Sequence, residues 1–390
     1  MAGVTLTQRR PIANLHHNPA SHWRHLDLVL LGAVAAISGL GLLMVYSATR
    51  GVEEPYDTSF LKKQLMFVVL GGLVLGVTAS VDYRRIRDFA PRLYGLTVLL
   101  LVLVKSPLGS SQHGTQGWFQ LGAFQLQPSE LAKVGLIVGF AWLASQFRGR
   151  VDGRRLLALL VVATIPMGLV MLQPDLGTTL VSVAITAGLL LVAGTSGRQM
   201  AALGAAALVL VVVVFNSGML GSYQQDRLTS YLSQKEVSQP VDLSTASPPE
   251  YNLRQSKIAI GAGGIWGQGL FEGTQTRLRN VPYQHTDFIF TAVGEQLGLV
   301  GAGALLALFS VVVWRVWRTA QLTRDEFGSM LCVGVLGLLV FQIFENVGMT
   351  MGIMPITGIP LPFMSYGGSS TITYFAAVGL VVNVHMRRFS

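Results

Sequence analysis

Residues 282–314 read PYQHTDFIFTAVGEQLGLVGAGALLALFSVVVW. From Phe288 onward the run is apolar enough to sit in a bilayer, where a helix needs about 20 predominantly apolar residues. Yet it opens on His285, Thr286 and Asp287 and carries Glu295 two turns further in. Whether this is a membrane helix bearing carboxylates or part of a soluble core is decided by the residues around it.

The 390-residue chain is 51% hydrophobic and 12% charged, against roughly 25% charged in an average soluble domain. Mean hydropathy is +0.53, and the apolar residues come in long blocks rather than in alternation. The pattern predicts an all-α integral membrane protein, a polytopic bundle of about ten transmembrane helices with re-entrant or broken outer loops. The spans are expected at 27–47, 62–80, 89–105, 129–147, 155–172, 177–194, 198–216, 287–313, 327–349 and 369–386. The fifth and sixth are separated only by LQPDLGTT, a tight hairpin or a re-entrant turn. The chain then divides into a tail (1–26), a membrane domain (27–386) with one long loop (217–286), and a C-terminus (387–390).

Basic residues set the orientation. Arg9, Arg10, Arg24, Arg84, Arg85, Arg87, Arg92, Arg148, Arg150, Arg154, Arg155, Arg198, Arg315, Arg318, Arg324, Arg387 and Arg388 fall on one side. Arg50, Lys62, Lys63 and Lys105 fall on the other. The positive-inside rule places both termini in the cytoplasm and loop 217–286 outside. The net charge of +9 is spread in short clusters between apolar blocks, so it reads as topology, and no nucleic-acid binding is expected. Cys332 is the single cysteine, which excludes an intrachain disulfide and a cysteine metal site. No cleavable signal peptide is expected, because residues 1–26 are polar and the first apolar block is of spanning length.

Polar and ionisable groups in a membrane are costly and mark functional or paired structural sites. With this orientation they gather at the outer ends of the spans. Glu130 and Lys133 start the fourth, and Gln173 and Asp175 lie between the fifth and sixth. His285, Thr286 and Asp287 open the eighth. Gln342, Glu345 and Asn346 approach the end of the ninth, and Ser365, Tyr366, Ser369 and Ser370 precede the tenth. The Pro- and Gly-containing loops GTQGWFQLGAFQLQPSELAK and GIMPITGIPLPFMSYGGSS join these ends, and such backbone survives at membrane depth only when it lines a cavity. A single cavity open to the outer leaflet is expected. Each element also has a plainer reading. Asp287 would cap the eighth helix, Glu130 and Lys133 would neutralise each other at i, i+3, and Trp118 would be an interfacial anchor. Glu295, about 12 Å below Asp287 along the helix, is expected to bond a neighbouring element.

GAGGIWGQG (261–269) neither follows a strand nor lies in a βαβ unit, so it is no dinucleotide loop. With NLRQSKIAI before it, the reading is a short amphipathic helix at the outer surface and then a flexible glycine loop.

GWFQLGAFQLQPSELAK, LQPDLGTTLV, QSKIAIGAGGIWGQG, HTDFIFTAVGEQLGLVG and PLPFMSYGGSS together resemble the successive signatures of the SEDS family (shape, elongation, division and sporulation). They occur in the family's order and span about residues 25–388. GTQTRLRNVP and NVGMTMGIMPITGIPLPF are more similar to the rod-shape elongation (RodA) branch than to the division branch. The resemblance implies a ten-helix peptidoglycan glycosyltransferase of the bacterial plasma membrane. Such an enzyme polymerises lipid II into β-1,4 glycan strands on the outer face, beside a class B penicillin-binding protein (a transpeptidase) and other membrane proteins of the elongation complex. It also places the family's key acid on Asp287, its outer-loop tryptophan on Trp118, and its fourth-span pair on Glu130 and Lys133. Two departures stand out. Gly117 occupies a position often basic or Ser, and TSYLSQ follows Arg227 where relatives read close to FLDP.

Glycan extension joins a sugar 4-hydroxyl to an anomeric carbon and expels a lipid diphosphate. A hydroxyl is a weak nucleophile, so Asp287 is expected as general base. Lys133, joined by Arg227 or a divalent cation (Mg²⁺ or Mn²⁺), would stand near the diphosphate, and no organic cofactor is expected. Asp175, His285, Ser365 and Tyr366 complete the expected substrate-binding set. The rival readings are a lipid II flippase, which would carry polar groups through the full membrane depth, and a scaffold recruiting the transpeptidase, which would not need Asp287.

Overall fold

Every one of the ten expected apolar segments is a helix. The computed structural model describes residues 25–51, 54, 56–112, 115–122, 124–147, 151–216 and 248–388. Its helices are α1 (Leu28–Thr49), α2 (Ser59–Ser80), α3 (Tyr83–Leu103), α4 (Pro128–Ala144), α5 (Gly153–Met171), α6 (Leu176–Val192) and α7 (Gly197–Asn216). There follow α8 (Pro248–Gly263), α9 (Thr274–Arg277), α10 (Ile289–Leu322), α11 (Glu326–Met351) and α12 (Gly368–Met386). Short acidic side chains set several starts. Asp27, Asp82, Asp152, Asp175 and Asp325 each accept a backbone N–H in the first turn of α1, α3, α5, α6 and α11, replacing bonds that a helix start lacks.

Among the described residues, α1, α2, α5, α10, α11 and α12 are long and apolar enough to cross a membrane. Helices α4 and α6 have 17 residues, and α3 begins with several arginines. The protein is a multi-pass membrane protein with an inverted surface. On α2, Leu65, Val69, Leu73 and Val77 recur every four residues and are 49–63% exposed, one stripe turned outward as lipid contact requires. Helices α4, α11 and α12 are the buried centre. Helix α10 runs for 34 residues, about 51 Å. It continues nine residues past the expected end, so Arg315 and Arg318 stand on its last turns.

The arginine-bearing end of the bundle is closed by side-chain clamps. Arg315 meets the buried Asp27 at 2.7 Å, Thr319 meets His385 at 3.1 Å, and the Asn383 amide donates to the carbonyls of Thr78 and Val81. The candidate site lies at the opposite end.

Two expectations need correction there. The loop GTQGWFQLGAFQLQ, expected as broken re-entrant backbone, is a three-stranded antiparallel sheet: β1 (Ser110–Gln112), β2 (Thr115–Leu121) and β3 (Phe124–Leu126). Ser110 pairs with Trp118, beside a register irregularity, and Phe119 pairs with Leu126. Backbone that would be orphaned at that depth is paired strand to strand instead.

The second correction concerns GAGGIWGQG, which is an ordered plug rather than a flexible loop. Helix α10 is interrupted at Gly298 (φ +64°), a left-handed conformation that glycine adopts without a Cβ penalty. The loop bonds across the interruption in both directions. Leu299 and Val300 N–H donate to the carbonyls of Gly264 (2.9 Å) and Ile265 (3.1 Å). Gln268 and Gly269 N–H donate to the carbonyls of Glu295 (3.0 Å) and Gln296 (3.1 Å). A Cβ on Gly267 would lie 2.2 Å from the Gln296 carbonyl oxygen, and one on Gly298 would lie 2.3 Å from the Gly267 nitrogen. Helix α8 likewise does more than lie on a surface, since Leu253, Gln255, Ser256, Ala259 and Gly263 are buried.

Candidate active site

Asp287 lies on a turn, one residue before the N-cap position of α10, which Phe288 occupies. The expected helix-cap role therefore falls one residue away from it. Three successive N–H groups, of Thr286, Asp287 and Phe288, converge on the carbonyl of Tyr283 at 3.1–3.3 Å. Tyr283 itself has φ +54°, a strained conformation for a side chain of that size. On the other side, the Asn346 amide donates to the Asp287 carbonyl and to the Ile359 carbonyl, each at 2.7 Å. The Asp287 backbone is thus fixed from both directions, while the residue stays half-buried.

The SYGGSS loop is tied to this turn. Tyr366 N–H donates to the His285 carbonyl at 2.9 Å, and the His285 ring packs against Phe60 and Tyr366, with centroids 5.0 and 5.7 Å away. Burial, and then the nearby Arg279 charge, hold the His285 imidazole below its usual range, which favours the neutral ring. Ser365 Oγ accepts from Leu361 N–H at 2.8 Å. The Gln64 amide donates to the Ser365 carbonyl (3.1 Å) and accepts from Gly367 N–H (3.2 Å). The loop can lie this close to α1 because residue 41 is glycine, where a Cβ would meet the Met364 backbone at 2.8 Å.

Glu130 and Lys133 form an ion pair at 2.7 Å with both side chains buried. The Lys133 ammonium sits 5.5 Å from the centre of the Tyr374 ring, and the Gln342 amide donates to the Tyr374 hydroxyl at 2.7 Å. Glu130 and Asp287 are both within electrostatic reach of that hydroxyl, so α4, α11, α12 and the Asp287 turn share one polar region. Asp175 caps α6 through Thr178 (2.9 and 2.8 Å) and also accepts a long bond from Ser129 at 3.5 Å. Trp118 is half-buried on β2, and its neighbour Gly117 lies against Gln173, whose side-chain oxygen would be 3.5 Å from a Cβ there. Glu295 accepts from Gln275 N–H (2.6 Å), Thr276 N–H (3.0 Å) and the Thr276 hydroxyl (2.6 Å), so it serves α9. Arg227 lies outside the described residues.

The polar clusters do meet, and their centre is a packed network. Glu130, Lys133, Gln342, Glu345 and Asn346 are each at most 3% exposed. In a low-dielectric interior, such groups lower their cost by bonding one another. The network is rich in acceptors, since Glu130, Gln342, Glu345 and Asn346 each keep one buried oxygen without a partner. Gln64 and Tyr374 were not singled out from the sequence. Each is a polar group inside an apolar block, and that signal alone would have found them. Among the described residues, no three His, Cys, Asp or Glu side chains converge to hold a metal ion. A Mg²⁺ that arrives with a diphosphate needs only one or two protein carboxylates, and no step is routed through one here.

The profile of the FtsW, RodA and SpoVE cell cycle proteins matches residues 28–389. A probable peptidoglycan glycosyltransferase FtsW of Trichlorobacter lovleyi is 36% identical over 92% of this chain and 92% of its own length. The peptidoglycan glycosyltransferase MrdB of Escherichia coli K12 is 33% identical over 93% of this chain and 94% of its own. A solved chain from work on how a peptidoglycan synthase complex coordinates polymerization and crosslinking superposes with a TM-score of 0.77. It is 30% identical, covering 94% of this chain and 99% of that one.

Proposed function

Because the chain belongs to the FtsW/RodA/SpoVE family of cell cycle proteins, the SEDS family that its motifs resemble, we propose that it polymerises lipid II, with Asp287 as general base. The protein is an enzyme of the peptidoglycan glycosyltransferase class. The acceptor's 4-hydroxyl loses its proton to the Asp287 carboxylate as its oxygen bonds to the donor's anomeric carbon. The bond from that carbon to the diphosphate oxygen breaks, and the diphosphate leaves with the electron pair. One carboxylate suffices, because a diphosphate, unlike a sugar alcohol, leaves without being protonated. General-base help of this kind is worth about 10²–10⁴-fold.

The observation that carries the reading is the fixed turn. A half-buried carboxylate with its backbone held at both faces by Tyr283 and Asn346 is preorganised as a base must be. The polar groups of the arginine-bearing end are closed into clamps such as Asp27–Arg315, which supports an enzyme acting at the Asp287 end over a flippase. The arginine distribution supports cytoplasmic termini and an outward-facing site. The signatures GTQTRLRNVP and NVGMTMGIMPITGIPLPF support a role in elongation, although the FtsW and MrdB relatives differ by only three points of identity. A class B penicillin-binding protein is the partner that best fits a chain so similar to part of a synthase complex.

The test is polymerisation of purified lipid II with the cognate transpeptidase, comparing the protein with Asp287→Ala. Polymer from the first and none from an equally folded second is the expected result. Equal polymer from both would sink the base assignment, and none from either would revive the flippase and scaffold readings.

A further inference from the structure

Beside the Asp287 turn lies a pocket of about 240 Å³, the volume of about eight liquid waters and room for one sugar ring. Its walls include Thr49, Asp57, Phe60, Arg279, Tyr283 and His285. Three features fix its chemistry. First, its opposite charges are held in place separately. Arg279 is anchored by donating to the Thr49 carbonyl at 2.9 Å. Asp57 is anchored by accepting Ser59 N–H at 2.8 Å, and the Ser59 bonds, then the Arg279 charge, keep its carboxyl below the usual range. The two attract electrostatically but do not close into an ion pair. Second, His285, the lining group that ordinarily titrates near neutrality, favours its neutral form. Third, Phe60 and Tyr283 supply aromatic surface.

An anion subsite would place its cations without a carboxylate among them, because a like charge at that distance repels. Here one carboxylate and one guanidinium balance within the lining, with Lys63 acting on Asp57 from outside it, leaving a carboxylate acceptor, a guanidinium donor fork and aromatic walls. That set suits an uncharged polyhydroxyl ring, whose hydroxyls both donate and accept and whose C–H face packs on aromatic carbon. The pocket is coupled to the chemistry, since Tyr283 carries the carbonyl that gathers the N–H groups of Asp287 and its neighbours.

We propose that this pocket binds the terminal N-acetylated sugar of the acceptor and presents its 4-hydroxyl to Asp287. The proposal rests on the glycosyltransferase reading and names the acceptor subsite of that same site.

The test is equilibrium binding of a fluorescently labelled N-acetylglucosamine–N-acetylmuramic acid disaccharide to the full chain in detergent. Inorganic pyrophosphate serves as competitor, and the same disaccharide is titrated into Arg279→Gln and Asp57→Asn. The Asn side-chain oxygen can still accept the Ser59 N–H, and thermal melting checks that both variants fold. Saturable binding to the unaltered protein, about ten- to a hundredfold weaker in each variant, and no displacement by pyrophosphate are expected. Displacement by pyrophosphate would make the pocket a diphosphate site. Unaltered affinity in folded variants, or no saturable binding to the unaltered protein, would also overturn the proposal. Binding requires no turnover, so an intact disaccharide site in a protein that makes no polymer would count against the glycosyltransferase reading alone.

Discussion

The side-chain amide of Asn346 donates to the carbonyl of Asp287 and to that of Ile359, both at 2.7 Å. Two carbonyls from segments 72 residues apart are thus held by one NH₂ group buried to 0% exposure. Replacing Asn346 by Leu leaves both carbonyls in apolar surroundings without a donor, at about 1–3 kcal/mol each. Asn346→Asp keeps the shape and exchanges donors for acceptors, so polymerisation should fall at least as far as in Asn346→Ala. Full activity of the Asp variant in the lipid II assay would remove Asn346 from the support of Asp287.

The Glu130–Lys133 pair separates a structural from a chemical role. Lys133→Met strands a buried carboxylate and should cost about 3–5 kcal/mol, read by thermal unfolding in detergent. Adding Glu130→Gln should recover most of that stability. If Lys133 also acts on the diphosphate, the double variant stays inactive although stable. Return of polymerisation with stability would make the pair purely structural.

How much of this was legible in the residues follows from which forces act locally. The ten helices could be read because the bilayer demands apolar blocks of spanning length, and a block is visible in any window of sequence. Glu295 was read as bonding a neighbouring element, and it does. The sheet was hidden because its strands are 3–7 residues long and its Gly and Gln content resembles loop. Asn346 against Asp287, Gln64 against the SYGGSS loop and Arg279 against Thr49 were illegible for a different reason. Each joins positions far apart in the chain, and no local pattern encodes which helix ends become neighbours. The residue types announced that polar partners must exist without saying which.

Glu295 supplies three acceptor bonds to the start of α9 from a fully buried position. Glu295→Gln exchanges one acceptor oxygen for an NH₂ that faces donors, so a loss of about 1–3 kcal/mol is expected. Hydrogen exchange should show the Gln275 and Thr276 amides opening before the rest of the chain. Equal protection in both proteins would show that α9 does not depend on this carboxylate.

His285 makes stability depend on pH in a definite direction. Its folded pKa lies below the ordinary 6.5 because burial, and then Arg279, oppose the charged ring. The unfolded chain therefore takes up a proton first. The contribution of neutral His285 is complete above 6.5 and is lost as pH falls towards the folded value. Melting temperature should drop more between about pH 7 and pH 5 in the unaltered protein than in His285→Gln. Parallel profiles would show that another group governs the acid limb.

The interlock at the interruption of α10 bears on how this chain can change over generations. Where two side chains touch, an enlargement of one can be offset by a reduction of the other. Gly267 and Gly298 meet backbone instead, the main-chain atoms of residues 296, 297, 265 and 267, and backbone cannot be trimmed. Neither position has a partner able to compensate for it. In descendants of this sequence the two glycines should therefore stand still together, with no covariation to betray that they touch, while the side chains around them drift.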